Sequence, residues 1–213
     1  MKIVLAKDQN LYFTSDTHYN HSNICRGISN WPGGRGTRDF QSLSEMNSAI
    51  VTGINSKVGP DDVLVHLGDW SFGGFESISE FRNRIICKNV VLFLGNHDHH
   101  IRRDKENVKS IFMNVLDYDV LDIRKPEGKE TKKYQFVCSH YPIASWDGLS
   151  KGVPHLHGHV HLPPHLKLHE GRAMDVGMDG NGLEPYSLNE ILALMKGRPN
   201  KHLVLPKDHH TEE

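Results

Sequence analysis

The chain predicts an α/β fold with sheet inside and helices outside. Short apolar runs alternate with helically spaced segments through the first half, and strands dominate the second. Several of the apolar runs end directly in Asp, Asn or His, the place where open α/β sheets present their ligands. The scale fits too. A chain of 213 residues can bury a substantial core without disulfides or a structural metal. No repeat, low-complexity tract or linker divides it, so residues 1–213 are expected to form one domain.

Taken in order, residues 2–6 and 11–14 read as two strands joined in hairpin fashion by Lys7-Asp8-Gln9-Asn10. Residues 19–38 are irregular and broken by Trp31-Pro32-Gly33-Gly34. Phe40, Leu43, Met46, Ile50 and Ile54 recur at helical spacing, which predicts an amphipathic helix over 40–56, ended by Gly59-Pro60-Asp61. Val63-Leu64-Val65 is a short buried strand, and Ile78, Phe81, Ile85 and Ile86 suggest another helix. A buried strand at 90–94 and a short helix near 99–107 follow. Residues 111–123 and 133–138 look like strands around a charged, solvated tip, Lys125-Pro126-Glu127-Gly128-Lys129. Further strands are expected at 154–156, 166–168 and 173–176. Ser187 and Glu190 have the spacing of a capping box that opens a last helix, 187–195.

Composition narrows the function classes. The chain is 37% hydrophobic and 24% charged, as in soluble globular proteins. A formal net charge of -1 offers no basic field for a nucleic-acid polymer. No apolar stretch approaches the roughly 20 residues needed to span a membrane, and the opening apolar segment is too short for a signal peptide. Three cysteines, Cys25, Cys87 and Cys138, form no Cys-x-x-Cys pair, which argues against a disulfide scaffold and a thiolate zinc site. Cys87 and Cys138 lie in apolar runs and read as small core residues. A reducing cytoplasm is the expected compartment. Histidine is in surplus at 16 residues. Some, such as His209 and His210, read as solvated; others fall in spaced motifs.

Those motifs are Asp16-Thr17-His18, Gly68-Asp69, Gly95-Asn96-His97-Asp98, Ser139-His140 and Gly158-His159-Val160-His161. Asp16 and His18 can face one ion if the chain turns there, although Asp-x-His is common by chance. A carboxylate at Asp69 has enough lone pairs to bridge two cations; a turn aspartate is the plainer alternative for any single Gly-Asp. Asn96 supplies a neutral oxygen, and Asp98 can hydrogen-bond an imidazole and fix its tautomer. His97 beside a phosphoryl group could stabilise charge or protonate a leaving oxygen. His159 and His161 fall on one side of an extended segment, with Gly158 allowing close approach. Oxygen and nitrogen donors delivered from several strand ends suggest a two-metal hydrolytic site.

Together, in this order and after these strands, the motifs resemble the calcineurin-like metallophosphoesterase family. The resemblance runs from Leu11 to His161 with every signature motif intact. The segments Ser15-Asp16-Thr17-His18-Tyr19-Asn20-His21-Ser22-Asn23-Ile24 and Asp175-Val176-Gly177-Met178-Asp179 are similar to small bacterial and phage members. The resemblance implies a four-layer αββα sandwich, two mixed β-sheets flanked by helices. It implies that one metal takes Asp16, His18 and His161, that the other takes Asn96, His140 and His159, and that Asp69 bridges them. His97 would be the non-ligand catalytic histidine and Asp98 its orienting partner. The implied reaction is phosphoester hydrolysis by a metal-bridging hydroxide.

The ligand types admit two divalent ions, with Mn²⁺ placed first and Fe, Zn²⁺, Ni²⁺ or Co²⁺ as alternatives. Arg26, Arg35 and Arg38, in the irregular segment, are candidates for phosphate binding, as is His21, which could instead support His18. Trp70, Tyr141 and Trp146 could wall the pocket or stack a base. His99, His100, His155, His157, His165 and His169 receive no role beyond exposed or supporting positions.

The expected function is a metal-dependent phosphodiesterase acting on a small, nucleotide-like substrate, with no membrane and a monomer or homodimer as its state. Alternatives are a phosphomonoesterase on the same site or a non-catalytic scaffold on the same fold. A nuclease would want a basic groove, and a metal store would bind many ions per chain.

Overall fold

Two five-stranded sheets face one another in the computed structural model, which describes residues 1–108, 110–166, 168 and 171–200. The strands are β1 (Lys2–Val4), β2 (Leu11–Thr14), β3 (Val63–His66), β4 (Asn89–Phe93), β5 (Asn114–Leu116), β6 (Tyr118–Glu127), β7 (Glu130–Ser139), β8 (His155–His157), β9 (Ala173–Asp175) and β10 (Tyr186–Ser187). The helices are α1 (Leu43–Lys57), α2 (Phe75–Arg84), α3 (His99–Arg103), α4 (Lys105–Val108) and α5 (Leu188–Met195). One sheet has the order β1-β6-β7-β8-β9 and the other β10-β2-β3-β4-β5. Both are mixed. In the second sheet β2 to β5 run parallel and β10 is antiparallel; in the first only the β6–β7 pair is antiparallel.

Alternation along the central strands explains the layers. Phe13, Val63, Val65, Val91 and Phe93 point into the space between the sheets, where they meet Leu121, Ile123, Phe136, Cys138 and Leu156. Leu64, Val90 and Leu92 point the other way, onto Ile50 and Ile54 of α1 and Ile78 and Phe81 of α2. Strands buried on both faces read as continuous apolar runs, which is why 63–65 and 90–94 were legible as strands. On the other sheet, Asp122, Arg124 and Gln135 face outward and are exposed. The helices begin where their chemistry says they should. Ser42 accepts from the Glu45 N–H at the start of α1, and Ser187 with Glu190 forms a reciprocal capping box on α5.

The expected hairpin over 2–14 does not form. β1 pairs in parallel with β6, and β2 joins the other sheet. Both strands gain more by facing each other across the core: Ile3 and Leu5 pack toward Leu11 and Phe13. The chain does turn at 6–9, where Gln9 N–H donates to Ala6 O, but Gln9 and Asn10 are also tied to Asp61 and Asp62, which carries β2 into the other sheet. The stretch 111–123 likewise splits, β5 going to one sheet and β6 to the other. The charged tip narrows to Gly128-Lys129, because β6 and β7 stay paired as far as Glu127 and Glu130. Of the strand expected over 166–168, Leu166 and Leu168 are not in a strand, and Lys167 lies outside the described residues, as do His169, His209 and His210.

Phe13 is fully buried, its ring 5.5 Å from that of Phe136 across the two sheets. Phe13→Ala should therefore cost about 3–5 kcal/mol in denaturant unfolding. Ser187→Ala, which removes only a cap, should cost about 1 kcal/mol. Equal losses would mean that the inter-sheet core does not hold the layers together.

Candidate metal centre

The chain leaves β2, β3, β4, β7 and β8 at their carboxyl ends and places all the sequence motifs there. Main-chain bonds fasten these loops to one another. The Asp16 and His18 N–H groups donate to the carbonyls of Gly68 and Asp69, and Gly158 N–H donates to His140 O. Gly68, at φ +103°, sits where a Cβ would come within 2.6 Å of His140 Nδ1. A Cβ on Gly158 would collide with Ser15 Oγ and Asp16 Oδ2. Close passage of backbone over side chain is what these glycines allow.

The candidate ligands converge. His18 Nε2 is 3.1 Å from His161 Nε2, 3.4 Å from Asp69 Oδ2 and 3.9 Å from Asp16 Oδ1. His161 Nε2 is 3.7 Å from Asp16 Oδ1. On the other side, Asn96 Oδ1 lies 2.9 Å from both His140 Nε2 and His159 Nδ1. Asp69 Oδ2, 3.5 Å from His140 Nε2, stands between the two groups. His97 Nε2 lies 4.0 Å from the same oxygen, and its ring meets the His18 ring edge-on at 5.3 Å.

Five of these residues carry left-handed backbone: Asp16, His18, Asp69, His159 and His161, with φ between 48° and 73°. Such angles are uncommon for residues with a side chain, and they cluster where function demands a fixed orientation. They also correct the extended reading of 159–161. Two left-handed residues part the imidazoles, sending His159 to Asn96 and His161 to His18.

Burial dominates the electrostatics. It pushes the Asp16 carboxyl up to about 8 against the pull of His161, with the charges of Asp69 and Asp175 adding to the rise. Burial raises Asp69 as well. It lowers His140 to about 4 and His18 well below the usual histidine range. His140 Nδ1 is 2.8 Å from Leu67 O and must carry the proton there, leaving the Nε2 lone pair facing the Asn96 and Asp69 oxygens. His161 Nδ1 is 2.6 Å from Asp179 Oδ2; burial acts to lower this ring, but the bond to Asp179 and the charge of Asp16 outweigh it and raise it, leaving Nε2 as the atom a cation would take in place of a proton. Lone pairs therefore face lone pairs across the cluster, and this oxygen and nitrogen donor set fits divalent cations. Groups of possible ligand atoms gather at Asp16, His18 and His161, at Asp16, Asp69 and His140, and at His18, Asp69 and His97.

Other expected roles change. Asp98 accepts from the N–H groups of Asp69, Trp70 and Gly95, so it does not orient the His97 ring directly. Three amides in range of a buried carboxylate make it a clamp between two loops. Arg38 is 6% exposed, and its guanidinium is engaged by Asp179 and by the carbonyls of Asp16 and Thr17, in place of the open loop position expected of a phosphate-binding arginine. Arg26 pairs with Asp39 at the surface, and Arg35 is exposed. His21 is buried, stacked on Phe72 with ring centroids 3.4 Å apart and 3.2 Å from His18 Nδ1, so it packs behind His18. Trp70 is wholly buried against Phe81 and Phe112. Trp146 bonds to Val153 O. Tyr141, 47% exposed, flanks His159 at 4.7 Å. Of the two alternatives left for them, exposed or supporting, His155 and His157 do not take the exposed one: both are buried. Phe72 and His66 received no role from sequence, and Asp179, although it closes a segment the resemblance marks, was given none either; an aspartate or phenylalanine in a loop carries no local sign of what it will touch.

The model of the family described as calcineurin-like phosphoesterase matches residues 10–208. The Gene 66 protein of Mycobacterium phage D29 is 29% identical over 172 residues, which cover 71% of this chain and 78% of that protein. An uncharacterized protein of Methanocaldococcus jannaschii is 24% identical over 190 residues, covering 87% and 91%. Among solved structures, a protein of unknown function from Aquifex aeolicus aligns with a TM-score of 0.62 at 24% identity, over 88% of this chain and 100% of that one. That likeness speaks to the fold.

His66 supplies a test of the electrostatics. Its Nδ1 accepts from Gly68 N–H and its Nε2 meets Thr17 Oγ1 at 2.9 Å, a neutral ring with both nitrogens engaged. Burial, helped by nearby His140, pushes it down from 6.5 to about 3. The unfolded chain binds the proton that the folded ring refuses, so this contribution is complete above 6.5 and is lost as pH falls. The stability gap between wild type and His66→Gln should narrow from 6.5 toward 3, by up to about 1.4 kcal/mol per pH unit. A gap that stays constant would mean that His66 is not held neutral.

Proposed function

The chain belongs to the calcineurin-like phosphoesterase family of metal-dependent phosphoester hydrolases, and we propose that it is a dinuclear phosphodiesterase acting on a small, nucleotide-like substrate. The observation that carries this reading is the place of Asp69. One carboxylate oxygen lies 3.4 Å from His18 Nε2 and 3.5 Å from His140 Nε2, between two groups of donors. Asp16, His18 and His161 would hold one ion, and Asn96, His140 and His159 the other, with Asp69 shared. Divalent cations bound there supply Lewis acidity, lowering the pKa of water and neutralising phosphoryl charge. The carboxylate and amide oxygens suit Mn²⁺ and the imidazoles suit Fe, Zn²⁺ or Ni²⁺, and we place Mn²⁺ first.

The chain's own groups then divide the work. Main-chain amides hold the carboxylates in place: His159 N–H donates to Asp16 and His97 N–H to Asp69. His97, partly exposed and 4.0 Å from Asp69, is the group we assign to protonate the leaving oxygen. Asp98 acts on His97 through the backbone, by pinning the 95–98 loop to residues 69 and 70. Asn96 and His159 are exposed, which leaves the site open to small substrates, and Tyr141 stands beside it as a surface for a base.

No helix among the described residues is long and apolar enough to cross a membrane. Cys25, Cys87 and Cys138 are buried free thiols, compatible with the reducing cytoplasm we assign to a single-domain enzyme.

Hydrolysis of bis-p-nitrophenyl phosphate and p-nitrophenyl phosphate by metal-stripped protein, with Mn²⁺ and other divalent ions added back, tests the activity. Metal-restored cleavage of the diester is expected. Cleavage of the monoester alone would make the protein a phosphatase, and silence on both with metals bound would favour a scaffold. Asp69→Ala should lose metal occupancy and activity together; retention of both would remove the bridging role. His97→Ala should keep its metals while turnover falls roughly 10²–10⁴-fold. An unchanged rate would take His97 out of the mechanism.

A further inference from the structure

Asp179 and Arg38 lie outside the ligand set, and both are aimed at half of it. Asp179 follows Gly177, which bridges to Ser15, and the Met178 N–H donates to Ser15 O. This delivers the carboxylate to the first motif. Its Oδ2 sits 2.6 Å from His161 Nδ1. Arg38 grips the same carboxylate with a fork, Nε to Oδ1 at 2.8 Å and a terminal nitrogen to Oδ2 at 3.1 Å. The remaining donors reach Thr17 O at 2.7 Å and Asp16 O at 2.6 Å. Arg38 is itself anchored by its main chain, with its N–H donating to Ile24 O and its carbonyl accepting from Arg26 N–H.

We propose that Arg38 and Asp179 form a positioning pair that sets the affinity of one cation position, that of Asp16, His18 and His161, and leaves the other largely untouched. The inference rests on the two-metal reading above. A carboxylate on Nδ1–H fixes the tautomer and orientation of His161 and raises the basicity of its free nitrogen. The guanidinium balances the carboxylate charge and fixes its plane, which a planar fork does and a point charge does not. It also holds the carbonyls of Asp16 and Thr17, beside the left-handed turns at Asp16 and His18. One residue thus acts on both halves of a single ligand group. The other group is backed differently, since His140 leans on a neutral carbonyl, that of Leu67, 2.8 Å from its Nδ1. The two positions are chemically unequal because one imidazole is backed by a carboxylate and the other by a peptide oxygen.

Metal-stripped full-length protein would be titrated with Mn²⁺ by calorimetry and with Co²⁺ by visible absorption. Wild type should bind two ions per chain. Asp179→Asn should bind one ion as wild type does and the second roughly 10–100-fold more weakly, with only one set of Co²⁺ bands altered. Arg38→Lys should weaken the same ion, because an ammonium cannot span Asp179 and two carbonyls at once. A circular dichroism melt accompanies each variant, and Arg38→Lys carries the test if Asp179→Asn does not fold. Two ions bound with wild-type affinity in the variants, or both weakened equally, would overturn the pair's selective role. Fewer than two ions on wild type would instead overturn the two-metal reading, and the inference with it.

Discussion

The burial of two carboxylates, Asp16 and Asp69, is the constraint on which the rest of the centre depends. Both are almost wholly removed from solvent, at 0% and 2% exposure. An isolated buried carboxylate costs several kcal/mol unless it is paired or neutralised. The surroundings offer main-chain amides, the His18 and His140 imidazoles that burial keeps neutral, and His161, which burial would lower but Asp179 and Asp16 raise, with Arg38 turned toward carbonyls and Asp179. Without a cation the carboxyl of Asp16 is driven toward its protonated form. The proposed pair of divalent cations would resolve the same arrangement by giving the inward-facing lone pairs a partner.

That constraint reaches into the fold. Donors from several chain segments must meet at one point, so the two sheets are stacked with the relevant strand ends at one edge of the sandwich. The loops then turn tightly enough that five ligand candidates adopt left-handed backbone. Such strain persists only when the surroundings over-determine it. Asp98, clamping three amides, and Arg38, clamping two carbonyls and a carboxylate, are the residues that do so.

Much of this was legible beforehand. The strands at 11–14, 63–66 and 89–93 announce themselves as apolar runs ending in polar motifs, and the Ser187–Glu190 box names the start of the last helix. The ligand candidates stood out as spaced Asp, Asn and His. What escaped was set by tertiary pairing. Residues 2–14 look like a hairpin because strand character is local, whereas the choice of partner strand is made by the core between the sheets. Arg38 looked like a phosphate binder because an arginine in an irregular loop reads the same whether it points outward or inward. Asp98 was assigned to an imidazole and spends itself on amides, a distinction of a few ångströms that spacing does not encode.

Crystals grown with Mn²⁺, with data collected at the manganese absorption edge, would test the central claim most directly. Two anomalous peaks about 3.5–4 Å apart are expected, flanking the Asp69 carboxylate, one against His18 and His161 and the other against His140 and His159. A single peak, or a pair not shared by Asp69, would contradict that claim.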